Sequence, residues 1–142
     1  MAPRHYPFTF NPEKKGLRKI LGDLEADVME VVWAAPTVTV REVHRKLEAK
    51  RGVAYTTVMT VLSRLADKGL IDKDKVGSIL VYRARSSREE FTRSTVGRIV
   101  QELIDDFATP AISQFVDSMD DEQPEAIDAL ARLVERKRKS RS

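Results

Sequence analysis

Between Tyr55 and Arg83 the apolar period of the chain changes, and this change restricts the fold more than any other feature. Val58, Val61, Leu62 and Leu65 recur at i, i+3, i+4 and i+7, one face of a helix expected over residues 55–68 and stopped at Gly69. Residues 70–73, 74–78 and 79–83 then read as strand, turn and strand, with Gly77 easing the turn. Upstream, Asp23 is the expected N-cap of a helix over residues 24–34, with Leu24, Val28, Val31 and Val32 at helical spacing and Pro36 as the stop. Thr39 and Glu42 form a capping box, Val38 and Val43 the flanking hydrophobic staple, and Gly52 the left-handed end of a helix over residues 40–50. Three helices followed by a hairpin is the order of a winged helix–turn–helix.

Behind the hairpin the period stays helical. Ser86 and Ser87, each with a glutamate three residues later, open a helix from Arg88 to about Ala108. Thr109-Pro110 closes it and starts another through Met119; after the acidic turn Asp120-Asp121-Glu122, Pro124 starts a third. A unit of three helices with an apolar stripe on each can hardly bury itself alone, so a second copy or the front half must cover the stripes; a second copy also serves a two-fold DNA site. Phe91, Ile99, Leu103, Ile104, Phe107, Ile112, Phe115, Val116, Ile127, Leu130 and Val134 are therefore expected at an interface between two copies. The expected fold class is mainly α with a small β-hairpin. It divides into an irregular basic arm (1–21), a winged helix (22–86), a helical dimerisation region (87–135) and a basic tail (136–142).

Charge follows the same division. The net charge is only +3, yet residues 1–88 carry 17 Lys and Arg against 10 Asp and Glu, and residues 89–135 carry 3 against 12. A basic front half suits a polyanionic partner. The chain has no cysteine and only two histidines, His5 and His44, which leaves no thiol chemistry, no Cys-ligated metal and no nucleophile–base pair. Neither an enzyme nor a cofactor or metal site is expected. No apolar run has the length of a membrane span, and the N-terminus lacks the apolar core of a signal peptide, so a cytoplasmic protein is expected.

The expected partner is double-stranded DNA. Opposite the apolar stripe, the third helix presents Thr56, Thr57, Thr60, Ser63 and Arg64. Threonine is a mediocre helix former, so this is an unusual solvated face, but its methyl groups suit thymine and its hydroxyls suit base edges or phosphates. Thr39 and Arg41 at the second helix's N-terminus form a natural phosphate clamp, and Lys75 and Arg83 on the hairpin would add backbone contacts. His44, among Arg41, Arg45 and Lys46, reads as an ordinary exposed helical side chain, and Trp33 as a core aromatic. Lys14, Lys15, Arg18 and Lys19 read as a solvated segment or a phosphate-touching arm. The same basic half would also serve an architectural or adaptor winged helix that binds a protein partner, or DNA without sequence choice.

Leu24-Glu25-Ala26-Asp27-Val28-Met29-Glu30-Val31-Val32-Trp33, the segment from Thr39 to Val43, and the run from Tyr55 to Leu70 together resemble the penicillinase-repressor family. The resemblance implies a homodimeric repressor on a two-fold operator of β-lactam-resistance or cell-envelope stress genes, with Thr56, Thr57, Thr60 and Arg64 as its recognition contacts. The cysteine-rich tail of copper-responsive members is absent here. In the antibiotic-resistance members a sensor-activated protease route ends in cleavage at an Asn–Phe bond; the nearest match in this chain is Gln114-Phe115.

Overall fold

The computed structural model describes residues 9–119 and 122–141. The first eight residues of the expected arm, Asp120 and Asp121 of the expected acidic turn, and Ser142 lie outside them. The chain forms two compact units that divide between Thr95 and Val96.

In the first unit, α1 (Asp23–Trp33), α2 (Val40–Arg51) and α3 (Tyr55–Asp67) precede β1 (Ile71–Val76) and β2 (Ile79–Ala84), which pair antiparallel from Ile71↔Ala84 to Val76↔Ile79. The core is the expected one: Val58, Val61, Leu62 and Leu65 of α3 are buried with Val28, Met29 and Val32 of α1 and Val43 and Leu47 of α2. The capping box holds, with Thr39 Oγ1 accepting the Glu42 amide at 3.2 Å and donating to Glu42 Oε1. Gly52 closes α2 at φ 61°, a left-handed position that a Cβ disfavours.

Several local expectations are corrected. Asp23 is the first residue of α1 rather than its N-cap: Gly22 takes that place, its amide donating to Glu25 Oε1 at 3.1 Å, while Arg18 draws Asp23 away. The arm is not irregular up to residue 21. Gly16–Lys19 form a 3-10 helix that turns Ile20 and Leu21 into the core, and Arg18 is no phosphate contact because it bridges Asp23 (3.1 Å) and Asp27 (2.6 Å), with Arg51 on Asp27 at 2.7 Å. The hairpin turn is shorter than expected. Asp74-Lys75-Val76 stay in β1, and only Gly77-Ser78 turn, with Gly77 at φ 65° as a two-residue hairpin loop favours. Val38 and Tyr82 exchange two backbone hydrogen bonds of 2.8 Å, a short third rung that ties the hairpin to the entry of α2.

The next helix, α4 (Arg88–Asp117), is capped by Ser87, whose Oγ accepts the Glu90 amide at 3.1 Å. Its first two turns belong to the first unit. Phe91 and Thr95 are buried there, and Trp33 stacks on Phe91 at 5.7 Å while its Nε1 donates to the Ser86 carbonyl at 3.0 Å. Phe91 is thus core of the winged helix and not interface, and the unit extends past the expected boundary at residue 86 to enclose it.

In the second unit α4 continues to Asp117, with one non-helical residue at Phe107 (φ −139°, ψ 50°). Pro110 causes this break: it lacks an amide and its ring crowds the carbonyl four residues back, so the chain restarts its helix with the proline in the new first turn. A last helix, α5 (Pro124–Arg141), runs on through the expected basic tail. No described residue from 96 onward is buried.

Two outcomes check these assignments. Thr39→Ala removes the α2 cap and should lower stability by about 1 kcal/mol, read as a reduced urea midpoint at unchanged m-value. Asp23 titrates below the ordinary aspartate value because Arg18 donates to it and Lys14 adds its charge. That stabilisation is therefore present above the unfolded-state value and lost as pH falls through the folded one. The gap in urea midpoint between wild type and Asp23→Asn should stay constant near neutrality and close in acid.

Candidate nucleic-acid interface

The outward side of α3 is built by what its inward side must bury. With Val58, Val61, Leu62 and Leu65 pinned in the core, the 100° turn per residue leaves Thr56, Thr57, Thr60, Ser63 and Arg64 exposed. Two further residues share that side and were not singled out in the sequence: Tyr55 and Met59 are 45% and 47% exposed. Their signal was the spacing Tyr55–Met59–Ser63, one residue every turn. Thr60 Oγ1 donates to the Thr56 carbonyl at 3.0 Å, which fixes its rotamer and leaves its methyl group and a lone pair for an approaching ligand.

Two open clefts flank this helix. One, of about 480 Å³, lies toward the hairpin and is lined by Thr39, Arg41, Tyr55, Met59, Ser63, Lys73, Leu80 and Tyr82. The other, of about 570 Å³, lies toward the start of α1 and is lined by Asp23, Glu25, Thr56, Thr57, Thr60 and Arg64. The two acids in the second cleft are each tied to a cation, Asp23 to Arg18 and Glu25 to Lys68 at 2.7 Å, so their repulsion of an anion is blunted.

The strands' alternation sorts the hairpin cations. Lys73 and Lys75 share one face with Leu80 and Tyr82, the face that borders the first cleft, whereas Arg83 lies on the other face opposite Asp72. Arg83 Nε sits 3.8 Å from Asp72 Oδ2, and Arg85 reaches Asp72 Oδ1 at 2.8 Å. Lys75 and Arg83, expected together as wing contacts, thus lie on opposite faces, and Lys73, another cation legible on the hairpin, shares the face of Lys75.

Pairing sorts the first unit's cations: Lys14 and Arg83 hold carboxylates, as do the five named next, while Lys15, Arg45, Lys46, Lys50 and Arg93 pair with none described. Arg18, Arg51, Lys68, Arg85 and Arg88 hold carboxylates within 4 Å. Arg41, Arg64, Lys73 and Lys75 pair with no described carboxylate, and all four are exposed around α3 and its clefts. A field-bearing rim around a face of three threonines and Met59 suits phosphate positioning and base contact. At the start of α2 the Thr39 hydroxyl is used by its own cap, so any clamp there rests on the amides of Val40 and Arg41, which have no intrahelical acceptor.

His44 is not a free surface group. Its ring meets Tyr55 edge-on at 5.5 Å and Nε2 donates to the Val53 carbonyl at 2.9 Å, bracing the turn between α2 and α3. Tyr82 is buried at the hairpin base, and desolvation pushes its phenol up from the ordinary value, so it stays neutral across the physiological range.

In the second unit, Leu103, Phe107, Ile112, Phe115, Val116, Ile127 and Val134 are among the exposed apolar residues, while Ile99, Ile104 and Leu130 are half-buried. Val96, Val100 and Leu133 are exposed as well. Val96, Val100, Leu103 and Phe107 fall at i, i+4, i+7 and i+11, a stripe that extends the expected Leu103 and Phe107 back by two turns. Gln114 and Phe115 are exposed near the end of α4, but the Gln114 carbonyl still accepts the Ser118 amide at 2.9 Å, so a protease would have to unwind that turn. Among the described residues no helix is long and apolar enough to cross a membrane, and no acidic, histidine or cysteine cluster could hold a metal.

Comparison with known proteins places this arrangement. A family profile described as penicillinase repressor matches residues 21–136. The transcriptional regulator BlaI of Mycobacterium tuberculosis is 58% identical over 52 residues, 36% of this chain and 38% of that protein, so the chain spans well under half the length of this relative. The methicillin resistance regulatory protein MecI of Mammaliicoccus sciuri is 21% identical over 117 residues, 82% of this chain and 94% of that one. The solution structure of the DNA-binding domain of the repressor BlaI aligns with a TM-score of 0.46 at 27% identity, covering 54% of this chain and 93% of that one. With a profile match over most of its length and the fold it implies, the chain belongs to the penicillinase repressor family.

Proposed function

We propose that this protein is a transcriptional repressor that binds double-stranded DNA as a homodimer, with α3 in the major groove of each half of a two-fold operator. One observation carries the reading: Arg41, Arg64, Lys73 and Lys75, which pair with no described carboxylate, are exposed on and beside α3, next to its threonine face. Thr56, Thr57, Thr60 and Arg64 are the proposed recognition residues, Met59 a thymine-methyl contact, and Lys73 and Lys75 the wing's phosphate contacts. Arg83 contributes less because Asp72 competes for it.

Homodimerisation is supported by the second unit, whose helices bury nothing on their own while exposing large apolar side chains on both α4 and α5. A covering surface is needed, and a second copy also sets two recognition helices one DNA turn apart. The regulators named above link the family to antibiotic resistance, so genes of β-lactam resistance or of the cell-envelope stress response are the proposed targets. A protease acting near Gln114-Phe115 is the proposed route of induction.

Footprinting on the protein's own upstream DNA should show two protected half-sites related by a dyad; uniform weak protection would favour an architectural role instead. Thr57→Ala and Thr60→Ala should each weaken operator binding by roughly 1–3 kcal/mol and leave binding to unrelated DNA nearly unchanged. Lys73→Ala and Lys75→Ala should weaken both alike and lower the salt slope by about one each. Leu103→Asp should convert dimer to monomer in sedimentation and reduce operator affinity without touching a DNA contact; a dimer that survives it excludes this stripe as the interface.

A further inference from the structure

The apolar stripe of α5 ends at Val134, yet the helix continues to Arg141. Those last two turns (residues 135–141) contain Arg136, Lys137, Arg138, Lys139 and Arg141 against Glu135, and all seven residues are exposed. They have no apolar side chain to bury, so packing is not what the extension serves. They also run beyond the residues matched by the penicillinase repressor profile, which stops at 136.

A helix C-terminus favours cations in its final turn, and this accounts for Arg138, Lys139 and Arg141. It does not account for Arg136 and Lys137, which lie a turn earlier. Residues 96–134 offer nine carboxylates against two cations, yet Arg136, Lys137 and Arg141 pair with no described carboxylate. No described acid of the unit is therefore their partner. What this segment does match is a linear polyanion. Lys137 and Arg141, four residues apart, fall on one side of the helix with Arg136 on the adjoining side, so two or three cations can face the phosphates of one duplex.

We propose that the basic end of α5 is a second DNA contact, a sequence-independent phosphate grip that adds to the winged helix and raises affinity for any duplex. It rests on the DNA-binding reading above but assigns a role to residues outside the winged helix altogether. Because the grip reads charge and not bases, it lengthens the residence of the repressor on DNA without altering which site it prefers.

The test uses the full chain with Arg136, Lys137 and Arg141 replaced together by Gln, titrated over a range of salt on the protein's own upstream duplex and on an unrelated duplex of equal length. Each lost phosphate contact should lower the salt slope by about 0.9, so the variant's slope should fall by roughly two to three per chain on both duplexes, with binding at low salt at least about tenfold weaker. Helix content by circular dichroism and the sedimentation coefficient should not change. A companion variant with Arg136→Lys and Arg141→Lys keeps the charge and should restore the wild-type slope; if it does not, the effect is structural and the proposal fails. Unchanged slopes for the Gln variant, with wild type still preferring its upstream duplex, overturn the grip and leave the repressor reading standing. Wild type showing no preference between duplexes, with the Gln variant weaker on both, supports the grip and sinks the repressor reading. A salt-dependent change of oligomeric state in the Gln variant would mean that the basic end seats on the acidic surface of a second copy, which also overturns it.

Discussion

Two hydrogen bonds of 2.8 Å between Val38 and Tyr82 fix the hairpin to the entry of α2. Val38 is also buried, two residues before α2 begins, and its neighbour Thr39 caps that helix. The position of the wing and the start of the helix–turn–helix are therefore set by one residue pair. A two-stranded hairpin alone is marginal in water. With Tyr82 buried beneath it and Val38 as a third rung, the hairpin becomes a rigid wall beside α3, and Lys73 and Lys75 inherit a defined position.

Ionic ties do the corresponding work on the other flank. Arg18, Asp27 and Arg51 link the 3-10 turn, α1 and α2, and Lys68 reaches from the end of α3 to Glu25 of α1. Each is partly exposed, and single pairs of this kind contribute little to stability. Their larger effect is to use up the acids near the exposed face of α3, so that the surface around Thr56, Thr57 and Thr60 carries the field of Arg64 and Arg41 with little opposition.

The sequence made the helical stripe of α3, the Thr39–Glu42 cap and the Gly52 stop legible because each is local: spacing, capping chemistry and left-handed glycine act within a few residues. The threonine face was legible as the complement of the stripe. What escaped was long-range. Nothing near Val38 announces a partner forty-four residues away, and Arg18 looks like any other cation of a basic cluster until Asp23 and Asp27 fold onto it. Phe91 carries the same apolar signal whether Trp33 or a second copy covers it. The opposed directions of Lys75 and Arg83 depended on the turn length: shortening the loop to Gly77-Ser78 fixed the register that put them on different faces.

The unburied helices beyond Thr95 have a consequence for how such a regulator responds to its own abundance. If those helices are completed only by a second copy, the amount of DNA-competent species grows with the square of the chain concentration when the protein is scarce. Repression then switches over a narrower range of expression than a monomer could achieve. Modest dilution or turnover of the protein would then release its sites abruptly, and a stripe completed in that way would set a threshold in a genetic circuit.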